Sequence, residues 1–571
     1  MMRICQPRYD ALPNTRRHIE MIGKEVLPRR KPKPLKVDDF CVKHRDISFF
    51  VSGKGGYMFY SILFPTREQH EKPRQTGEPA CFKDLNLDQI FDPILKEKKA
   101  FELEGFFYTS MHDPKAIVYR QDIMRELEDD KLRALFSGFS KTVYDLGKYM
   151  NTVRSSLASQ DGWHNNYLTR GRMLDYAERY CRAVFSLSEG ISTLTLRSVG
   201  LRGFAGYLST YCASESYTGL CSHVKQLRDE LSTVEYCMLI KNGTIRVRKY
   251  EGQVDHSKQI LASFEKFRQG DVKDYRHKLA EEPYAAHVEA AVLGMVAELY
   301  HDIFVDLNGF CSKYLHFDDE AILRFSREIQ FYLSWLDFIK PFRQAGLSFC
   351  YPKLCNSAER LYNFDGFDLA LARIEYGKTV VNDFTLNAPE RIIVVTGPNQ
   401  GGKTTFARAF GQTHYLASLG LCIPGREAAL YLFDNILTHF GREEDLSTLN
   451  GKLQDDLVRL QELIDKATDR SIIIVNEIFA STTLSDALAL GGHMMNTFST
   501  LGAPTVLVTF LDELASHGPE TVSMMSMISE NDPTKRTFKI IRKPPDGLAY
   551  AIHIASKHGL TYEQLCGRLR K

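Results

Sequence analysis

The sequence predicts a multidomain protein in which an α-helical bundle with a small β-hairpin insertion precedes a C-terminal α/β domain. Apolar residues repeat at helical spacing through much of residues 119–360, and two alternating runs flank Asn242-Gly243. After Pro352 strand-like and helix-like segments alternate, which is typical of a parallel sheet covered by helices. A length of 571 residues is sufficient for several independent cores.

Composition places the chain among globular proteins and excludes several functional classes. Apolar residues make up 44% and charged residues 25%, while 73 Lys and Arg against 71 Asp and Glu leave a net charge of +2. Any surface for nucleic acid must therefore be a local patch. The 12 cysteines include no Cys-x-x-Cys pair, which argues against a zinc ribbon and favours reduced, structural thiols. Because we find neither a signal-peptide pattern nor an apolar run long enough for a bilayer, we expect a cytoplasmic protein without a membrane partner.

The first 118 residues divide into two segments. Residues 1–40 form a basic leader, with ten Lys or Arg against three Asp or Glu among the first 36 residues, and we expect it to be disordered. Residues 41–118 are mixed in character and contain strand-like runs at Ile47 to Val51 and Met58 to Leu63. The sequence indicates no role for this second segment.

Residues 119–360 are predicted to form long packed helices. Three apolar stripes recur at helical spacing: Leu132, Leu135, Phe139, Val143, Leu146 and Met150; Val288, Val292, Met295, Leu299, Ile303 and Leu307; and Ile322, Phe325, Ile329, Leu333, Leu336 and Ile339. Stripes of this kind usually form a core or a seam between helices rather than a ligand site. This region is therefore interpreted as a bundle.

A predicted β-hairpin at residues 236–250 interrupts these helices. Asn242-Gly243 favours a type I′ turn, and alternation places Ile245 and Val247 on one side and two arginines on the other. Three basic residues are candidates for contacts with DNA phosphates: Arg246, Arg248 and Lys249. The alternative interpretation is a solvated hairpin face that binds nothing.

The clearest chemical signal is a phosphate-binding loop after the apolar run Ile392 to Val395. Gly397-Pro-Asn-Gln-Gly-Gly-Lys-Thr404 matches the GxxxxGK[ST] pattern, and a helix-forming segment follows it. The glycines let backbone N–H groups converge on phosphates, Lys403 neutralises the β and γ oxygens, and Thr404 is a ligand for Mg²⁺. ATP and Mg²⁺ are therefore the expected cofactors. The predicted nucleotide-binding residues are Gly397, Pro398, Asn399, Gln400, Gly401, Gly402, Lys403, Thr404 and Thr405.

A second apolar run, Ile472 to Val475, ends in Asn476 and Glu477 and supplies the other half of such a site. Glu477 is placed to polarise an attacking water molecule and is the predicted catalytic residue. Asn476 stands where a carboxylate usually supports the metal, and we predict that Thr404 and Asn476 form the metal site. Because an amide carries no charge, we expect weak ATPase activity.

In this region the chain resembles the ATPase domain of the MutS family of DNA mismatch repair proteins. The matching residues are Val381 to Phe384, Thr396 to Thr404, Gln412-Thr413, Leu419-Gly420, Ile423-Pro424, Phe433 to Thr438, Glu444 to Leu446, Asn476 to Ile478, Ser481 to Thr483 and Asp546 to Ala549. The resemblance covers residues 380–560 and extends to the helical region, which looks like the lever and clamp of the family. It implies an ABC-type ATPase domain at residues 361–571, a homodimer with composite sites, and dimerisation through a C-terminal helix at Tyr562 to Leu569.

Several positions depart from the family pattern. Asn476 replaces the Walker B aspartate, Val508-Thr509-Phe510 replaces an Ala-Thr-His motif, and Thr379 stands at the aromatic position that stacks on adenine. The signature that reaches the γ-phosphate of the opposite subunit reads Asn450-Gly451-Lys452-Leu453, and its first three residues are the candidates for that contact. The first 120 residues contain no Phe-x-Glu, so the mismatch reader of the family is not evident.

These observations predict a short MutS-like ATPase whose nucleotide state moves a helical lever with a hairpin tip on DNA, in DNA repair or recombination. We expect it to bind DNA as a homodimer without mismatch selectivity. The alternative is a slowly hydrolysing, nucleotide-gated adaptor that binds a protein partner rather than DNA. A small-molecule kinase is less consistent with the sequence, because no substrate lid follows the loop.

Overall fold

The computed structural model describes residues 59–158, 167–241, 244–254, 259–260, 263, 283–355, 360–441, 451–529, 532–545 and 560–569. Several predictions lie outside these residues: the basic leader 1–40, the run Ile47 to Val51, the Asn242-Gly243 turn, Asn450, and the motifs Glu444 to Leu446 and Asp546 to Ala549.

Seventeen α-helices lie within the described residues. They are α1 (Arg67–Glu71), α2 (Phe82–Leu85), α3 (Leu87–Glu97), α4 (Glu104–Tyr108), α5 (Pro114–Glu126), α6 (Asp130–Ala158), α7 (Tyr167–Ser192), α8 (Val199–Cys212), α9 (Glu215–Ser232), α10 (Pro283–Leu299), α11 (His301–Lys313), α12 (Glu320–Gln344), α13 (Leu369–Ile374), α14 (Lys403–Ser418), α15 (Lys452–Lys466), α16 (Leu484–Leu501) and α17 (Tyr562–Leu569). Among them, none is long and apolar enough to cross a membrane.

Fourteen strands lie within the same residues. They are β1 (Tyr236–Lys241), β2 (Thr244–Lys249), β3 (Phe349–Cys350), β4 (Lys353–Cys355), β5 (Arg360–Gly366), β6 (Asn382–Asn387), β7 (Ile392–Thr396), β8 (Ile423–Pro424), β9 (Glu427–Tyr431), β10 (Ile436–Phe440), β11 (Ile472–Asn476), β12 (Thr505–Val508), β13 (Thr521–Ser529) and β14 (Asp532–Arg542). A helical region followed by an α/β region is therefore confirmed.

The long helices α6, α7 and α12 form the centre of the helical region. The predicted stripe from Ile322 to Ile339 is buried throughout α12, and the stripe from Leu132 to Met150 packs against the same core from α6. Phe204 of α8 stacks flat on Phe325 of α12, with ring centroids 3.5 Å apart. Both stripes are thus confirmed as helix seams.

The stripe predicted from Val288 to Leu307 does not belong to one helix. The chain breaks at Tyr300, whose φ of −121° and ψ of 46° are not helical, so α10 ends at Leu299 and α11 starts at His301. Val288 is 50% exposed, whereas Val292 and Leu307 are buried. The spacing of apolar residues continues across the break, which is why periodicity alone suggested a single helix.

The strand predicted at Met58 to Leu63 is wrong for its described part, which begins at Phe59 and pairs with no other strand. Its backbone groups are satisfied by side chains instead. Ile62 N donates to Glu328 Oε2 (2.9 Å), and the Tyr332 hydroxyl donates to Ile62 O (2.6 Å). Ile62 and Leu63 are fully buried, so their apolar pattern reflects a core segment rather than a sheet.

Helices α2 to α5 connect the helical region to α14 of the α/β region. Gln412 Nε2 of α14 donates to Leu85 O (2.8 Å), and the Tyr415 hydroxyl donates to Phe107 O (2.9 Å). At the end of α14, the buried Arg120 guanidinium of α5 donates to Leu419 O (3.0 Å). The segment without a predicted role is therefore the attachment between the two regions.

A six-stranded sheet with the order β10-β11-β12-β7-β13-β14 forms the α/β region; its neighbours are parallel except for the antiparallel pair β13 and β14. Alternate residues of the central strands enter two different cores: Ile393 and Val395 pack with α14, and Ile392 and Val394 pack with α15 and α16. Helices thus cover both faces, which explains the continuous apolar runs in the sequence.

Candidate nucleotide-binding site

The phosphate-binding loop lies between β7 and α14, at the edge where the parallel strands end. Strand β7 is fully buried as far as Thr396, and α14 begins at Lys403. Loops at the carboxyl ends of parallel strands are the usual position for ligands in such sheets. Residues 397–405 therefore lie at this edge of the sheet, and their binding of a nucleotide remains a prediction.

The glycines of the loop are required by close packing against β13. Gly397 has a φ of +109°, and a Cβ there would approach Ser526 O to 3.0 Å. A Cβ on Gly401 would collide with the Ser526 hydroxyl, which instead donates to Gly401 O (2.6 Å). Gly402 precedes the helix with a φ of +91°. The loop thus keeps its curvature because only glycine fits these positions.

The Lys403 side chain is folded onto the loop that it follows. Its Nζ donates to Gly397 O (2.8 Å), Pro398 O (3.2 Å) and Asn399 Oδ1 (3.2 Å). Burial of the ammonium group lowers the pKa of Lys403, while the carboxylate of Glu477 acts in the opposite direction. A cation held among carbonyl oxygens at a helix N-terminus is suited to binding phosphate oxygens.

Thr404, Asn476 and Glu477 meet beside the loop. The Thr404 hydroxyl donates to Asn476 Oδ1 at 2.9 Å, which links the start of α14 to the end of β11. Glu477 follows directly with a φ of +54°, its N–H donates to Val508 O (2.9 Å), and its side chain is exposed. A left-handed conformation is unusual for glutamate.

These groups fit a bound ATP with Mg²⁺. The Thr404 hydroxyl and the Asn476 amide oxygen are ligand types that Mg²⁺ accepts, and Lys403 with the loop N–H groups can hold the phosphates. When bound, the metal neutralises phosphate charge, whereas the amide of Asn476 contributes an oxygen but no negative charge. Within the described residues no cluster of three or more His, Cys, Asp or Glu side chains forms another metal site.

Two side chains of β14 approach the loop and were not identified from the sequence. Arg536 Nε donates to Asn399 O at 3.2 Å. Phe538 has a φ of +58°, is 49% exposed and lies next to Gly402. The Asn382 side chain fixes this bend, because it donates to Phe538 O (3.2 Å) and accepts from Ile540 N (2.7 Å). Asn382 was noticed in the sequence only as part of a family motif.

Two further segments that depart from the family pattern are residues 508–510 and the start of α15. Thr509 N–H donates to Val395 O (3.1 Å), and the following Phe510 is 48% exposed. Gly451 and Lys452 are exposed at the start of α15, where Gly451 O accepts from Gln454 N (2.9 Å). Within the described residues, neither segment is hydrogen-bonded to residues 397–405. The role of Gly451 and Lys452 across a dimer remains a prediction.

The spacing of Leu453, Leu457, Leu460 and Ile464 predicts a buried stripe on α15, and this prediction is only partly correct. Leu460 and Leu463 are buried, and Leu453 and Ile464 pack against the same core, but Leu457 is 36% exposed. The buried face is centred between Asp456 and Leu463, so Leu457 lies at its margin. A four-residue step drifts around a helix of 3.6 residues per turn, which accounts for the error.

The hairpin places its basic residues on two different faces. Directly opposed residues share a face, and β1 pairs with β2 so that Leu239 opposes Arg246 and Cys237 opposes Arg248. Arg246 and Arg248 are exposed there, while Ile245 and Val247 pack against the helical core, as expected. Lys249 lies on the Val247 face, and its Nζ is 4.8 Å from the centre of the Tyr300 ring. The register thus separates Lys249 from the two arginines.

Comparison with known proteins connects this site to one family. Residues 393–565 match the family model for MutS domain V. The DNA mismatch repair protein MutS of Dehalococcoides mccartyi is 29% identical over 316 residues, which cover 53% of this chain and 34% of that protein. The one of Shouchella clausii is 30% identical over 192 residues, or 33% of this chain and 22% of that protein.

A longer alignment includes the helical region. The DNA mismatch repair protein MutS of Thermotoga petrophila is 24% identical over 522 residues, covering 87% of this chain and 59% of that protein. The chain thus spans between about a fifth and three fifths of the length of these relatives.

Proposed function

We propose that this protein, whose residues 393–565 match the family model for MutS domain V, binds ATP with Mg²⁺ and that its nucleotide state controls contact with DNA. The observation that carries this proposal is the arrangement of Lys403, Thr404 and Asn476, in which a curved glycine loop, a helix N-terminus and a strand end meet. The process is DNA repair or recombination, by analogy with the mismatch repair relatives.

The phosphates bind where the loop N–H groups and Lys403 converge. The Lys403 ammonium group exchanges its hydrogen bonds to three loop oxygens for hydrogen bonds to phosphate oxygens. The negative charge of the phosphates offsets the cost of burying the ammonium charge. Phe538 offers an exposed aromatic face beside Gly402 for the base, whereas the Thr379 hydroxyl donates to Glu375 O (3.1 Å) and provides no ring. In this proposal the adenine base therefore stacks on Phe538 of β14 and not on residue 379, which precedes β6.

Hydrolysis is slow in this proposal. Glu477 orients and deprotonates the attacking water molecule, because its exposed carboxylate directly follows Asn476 and lies near enough to Lys403 to affect the pKa of that lysine. Asn476 holds the Thr404 hydroxyl in place but supplies no charge to the metal site. The protein therefore remains in its ATP-bound state for longer than it would with a carboxylate at residue 476.

DNA contacts come from the outward face of the hairpin. Arg246 and Arg248 are exposed, and neither forms an ion pair with another described residue. In this proposal a movement of the phosphate loop is passed through α14 to the helical region that carries the hairpin. Gln412 and Tyr415 of α14 provide the connection, because they are hydrogen-bonded to the segment that precedes the helical region. Phosphate contacts carry no sequence information, so we expect no mismatch selectivity.

A homodimer completes the two nucleotide sites. The exposed start of α15 with Gly451 and Lys452 is available to reach the γ-phosphate of the opposite subunit. The C-terminal helix α17 forms at Tyr562–Leu569 and exposes Tyr562 and Leu565, which are suited to a dimer contact.

Two binding measurements test the proposal. Calorimetry with ATP and Mg²⁺ should show binding to the natural protein and at least tenfold weaker binding to Lys403→Ala, while Lys466→Ala, an exposed lysine at the end of α15, serves as the control. Fluorescence anisotropy should then show binding to duplex, mismatched and branched DNA that changes with ATP. Equal ATP affinity of the Lys403→Ala protein would refute the loop assignment.

A nucleotide-gated adaptor for a protein partner is the second candidate. The neutral Asn476 and the exposed Phe510 in place of a histidine favour it, since both reduce the means of hydrolysis. This candidate predicts ATP binding with no DNA binding at low salt. The anisotropy measurement therefore separates the two functions.

A further inference from the structure

Three helices of the helical region bring cysteine side chains together, far from the phosphate loop. Cys181 in α7 and Cys221 in α9 lie close enough for each thiol to shift the pKa of the other. Cys212, at the end of α8, also adjoins Cys221, and burial raises the pKa of its thiol. All three are free cysteines.

Other contacts hold α7 and α9 in register around this pair. Tyr217 lies one turn before Cys221, on the same face of α9, and its hydroxyl donates to Cys181 O at 2.7 Å. Farther along α9, Arg228 forms an ion pair with Glu178 (2.9 Å) and another with Asp175, both in α7. The helices run antiparallel, and these contacts, one turn before Cys221 and two turns after it, place Cys221 beside Cys181.

The two thiols differ in exposure and in acidity. Cys181 is 8% exposed, and the hydrogen bond to Cys221 together with burial raises its pKa. Cys221 is partly exposed, and the hydrogen bond from Cys181 lowers its pKa to about 7. Cys221 is thus the accessible sulfur with thiolate character near neutral pH, and Cys181 is a protonated thiol beside it.

We propose that Cys181 and Cys221 form a peroxide-sensitive dithiol, which hydrogen peroxide converts into a disulfide between α7 and α9. The Cys221 thiolate attacks one peroxide oxygen, so that an S–O bond forms, the O–O bond breaks and hydroxide leaves. The Cys181 sulfur then attacks the sulfur of the Cys221 sulfenic acid, and the hydroxyl group leaves as water with the Cys181 proton. Two thiols and one peroxide thereby give one disulfide and two water molecules.

The disulfide would fix the base of the hairpin. Helix α9 ends at Ser232 and leads within a few residues into β1, and Glu235 between them accepts a hydrogen bond from Tyr250 N (3.2 Å). A covalent bond from α9 to α7 therefore restricts the movement of the arginine face. This consequence for DNA rests on the proposed function, whereas formation of the disulfide does not.

Peptide mapping of the full-length protein tests the proposal. The reduced protein is treated with a few equivalents of hydrogen peroxide at pH 7, and peptides are analysed by mass spectrometry without reductant. We expect a cross-linked peptide pair that contains Cys181 and Cys221, lost on reduction. Cys212→Ser, a change at a neighbouring thiol of similar exposure, should leave its yield unchanged.

Two further variants identify the roles of the pair. In Cys181→Ser the Cys221 sulfenic acid should persist and be trapped by a 1,3-dione, and in Cys221→Ser neither product should form at residue 181. The proposal would be overturned if the natural protein formed no bond between residues 181 and 221, or if it formed disulfides only between other cysteines. It would also be overturned if the Cys212→Ser protein no longer formed the 181–221 bond. DNA binding is measured separately, before and after oxidation, so that a failure of the proposed DNA role leaves the mapping result interpretable.

Discussion

The Thr404 hydroxyl donates a 2.9 Å hydrogen bond to the side-chain oxygen of Asn476, so the phosphate loop and the end of β11 meet through two neutral groups. A carboxylate at residue 476 would accept the same bond and add one negative charge next to the metal. The amide of Asn476 thus makes the contact that a carboxylate would make, with one negative charge fewer.

Asn476→Asp should raise ATP turnover severalfold and lower the Mg²⁺ concentration needed for half-maximal activity, because a carboxylate binds Mg²⁺ more strongly than an amide. Steady-state phosphate release at a series of Mg²⁺ concentrations measures both effects. Asn435→Asp makes the same exchange at an exposed position before β10 and should change neither. Unchanged Mg²⁺ dependence in Asn476→Asp would remove residue 476 from the metal site.

Glu477→Gln should reduce turnover by about two orders of magnitude or more, since general base catalysis contributes roughly 10²- to 10⁴-fold. ATP affinity in calorimetry should remain, because the phosphates are held by the loop and Lys403. Glu462→Gln, an exposed residue of α15, is the control. Turnover equal to that of the natural protein would show that Glu477 is not the base.

ATP and Mg²⁺ should double the mass measured by light scattering in the Glu477→Gln protein, in which the nucleotide persists. Lys452→Ala should weaken this dimer, because Lys452 begins α15 in an exposed position suited to an opposing phosphate. Lys466→Ala, at the other end of the same helix, should not. A monomer mass under all conditions would contradict the composite site.

The double change Arg246→Ala and Arg248→Ala should lower the slope of log affinity for DNA against log salt by roughly 2, since each phosphate contact contributes about 0.9. Lys249→Ala should change the slope less, because its ammonium lies on the opposite face over Tyr300. Anisotropy titrations at several salt concentrations provide the slopes. An equal loss from all three residues would mean that both hairpin faces touch DNA.

Stability should depend on pH through Glu328, whose pKa burial raises from 4.5 to about 7. Between these values the folded protein holds a proton that the unfolded chain has released, so this group lowers the free energy of unfolding as pH rises from about 4.5 to 7. Glu328→Gln removes that contribution, which is on the order of 3 kcal/mol. Its denaturant midpoint should therefore vary less than that of the natural protein over this interval.

His70 changes the free energy of unfolding with pH in the direction opposite to that of Glu328. Its Nε2 lies 3.8 Å from Glu328 Oε1, and burial lowers its pKa, so the folded state resists protonation of the imidazole below its usual value of 6.5. That group lowers stability as pH falls. Measuring Glu328→Gln and His70→Gln separately distinguishes the two, and a pH profile unchanged by Glu328→Gln would contradict the assignment.

The sequence by itself determined the features that depend on neighbouring residues. The glycine pattern of residues 397–404 predicted a tightly curved loop between a strand and a helix, because such curvature requires glycine at set positions. The stripes of α6 and α12 and the alternation of the hairpin were likewise correct, since helical and strand periods are local properties.

Only the tertiary structure decided which distant segments meet. Ser526, Arg536 and Phe538 reach the loop from strands more than a hundred residues later in the chain, and Glu328 replaces a strand partner for Ile62. Cys181 and Cys221 become a pair only when α7 and α9 pack antiparallel. Such contacts depend on how whole elements pack and on strand register, and no periodicity within a short window encodes either.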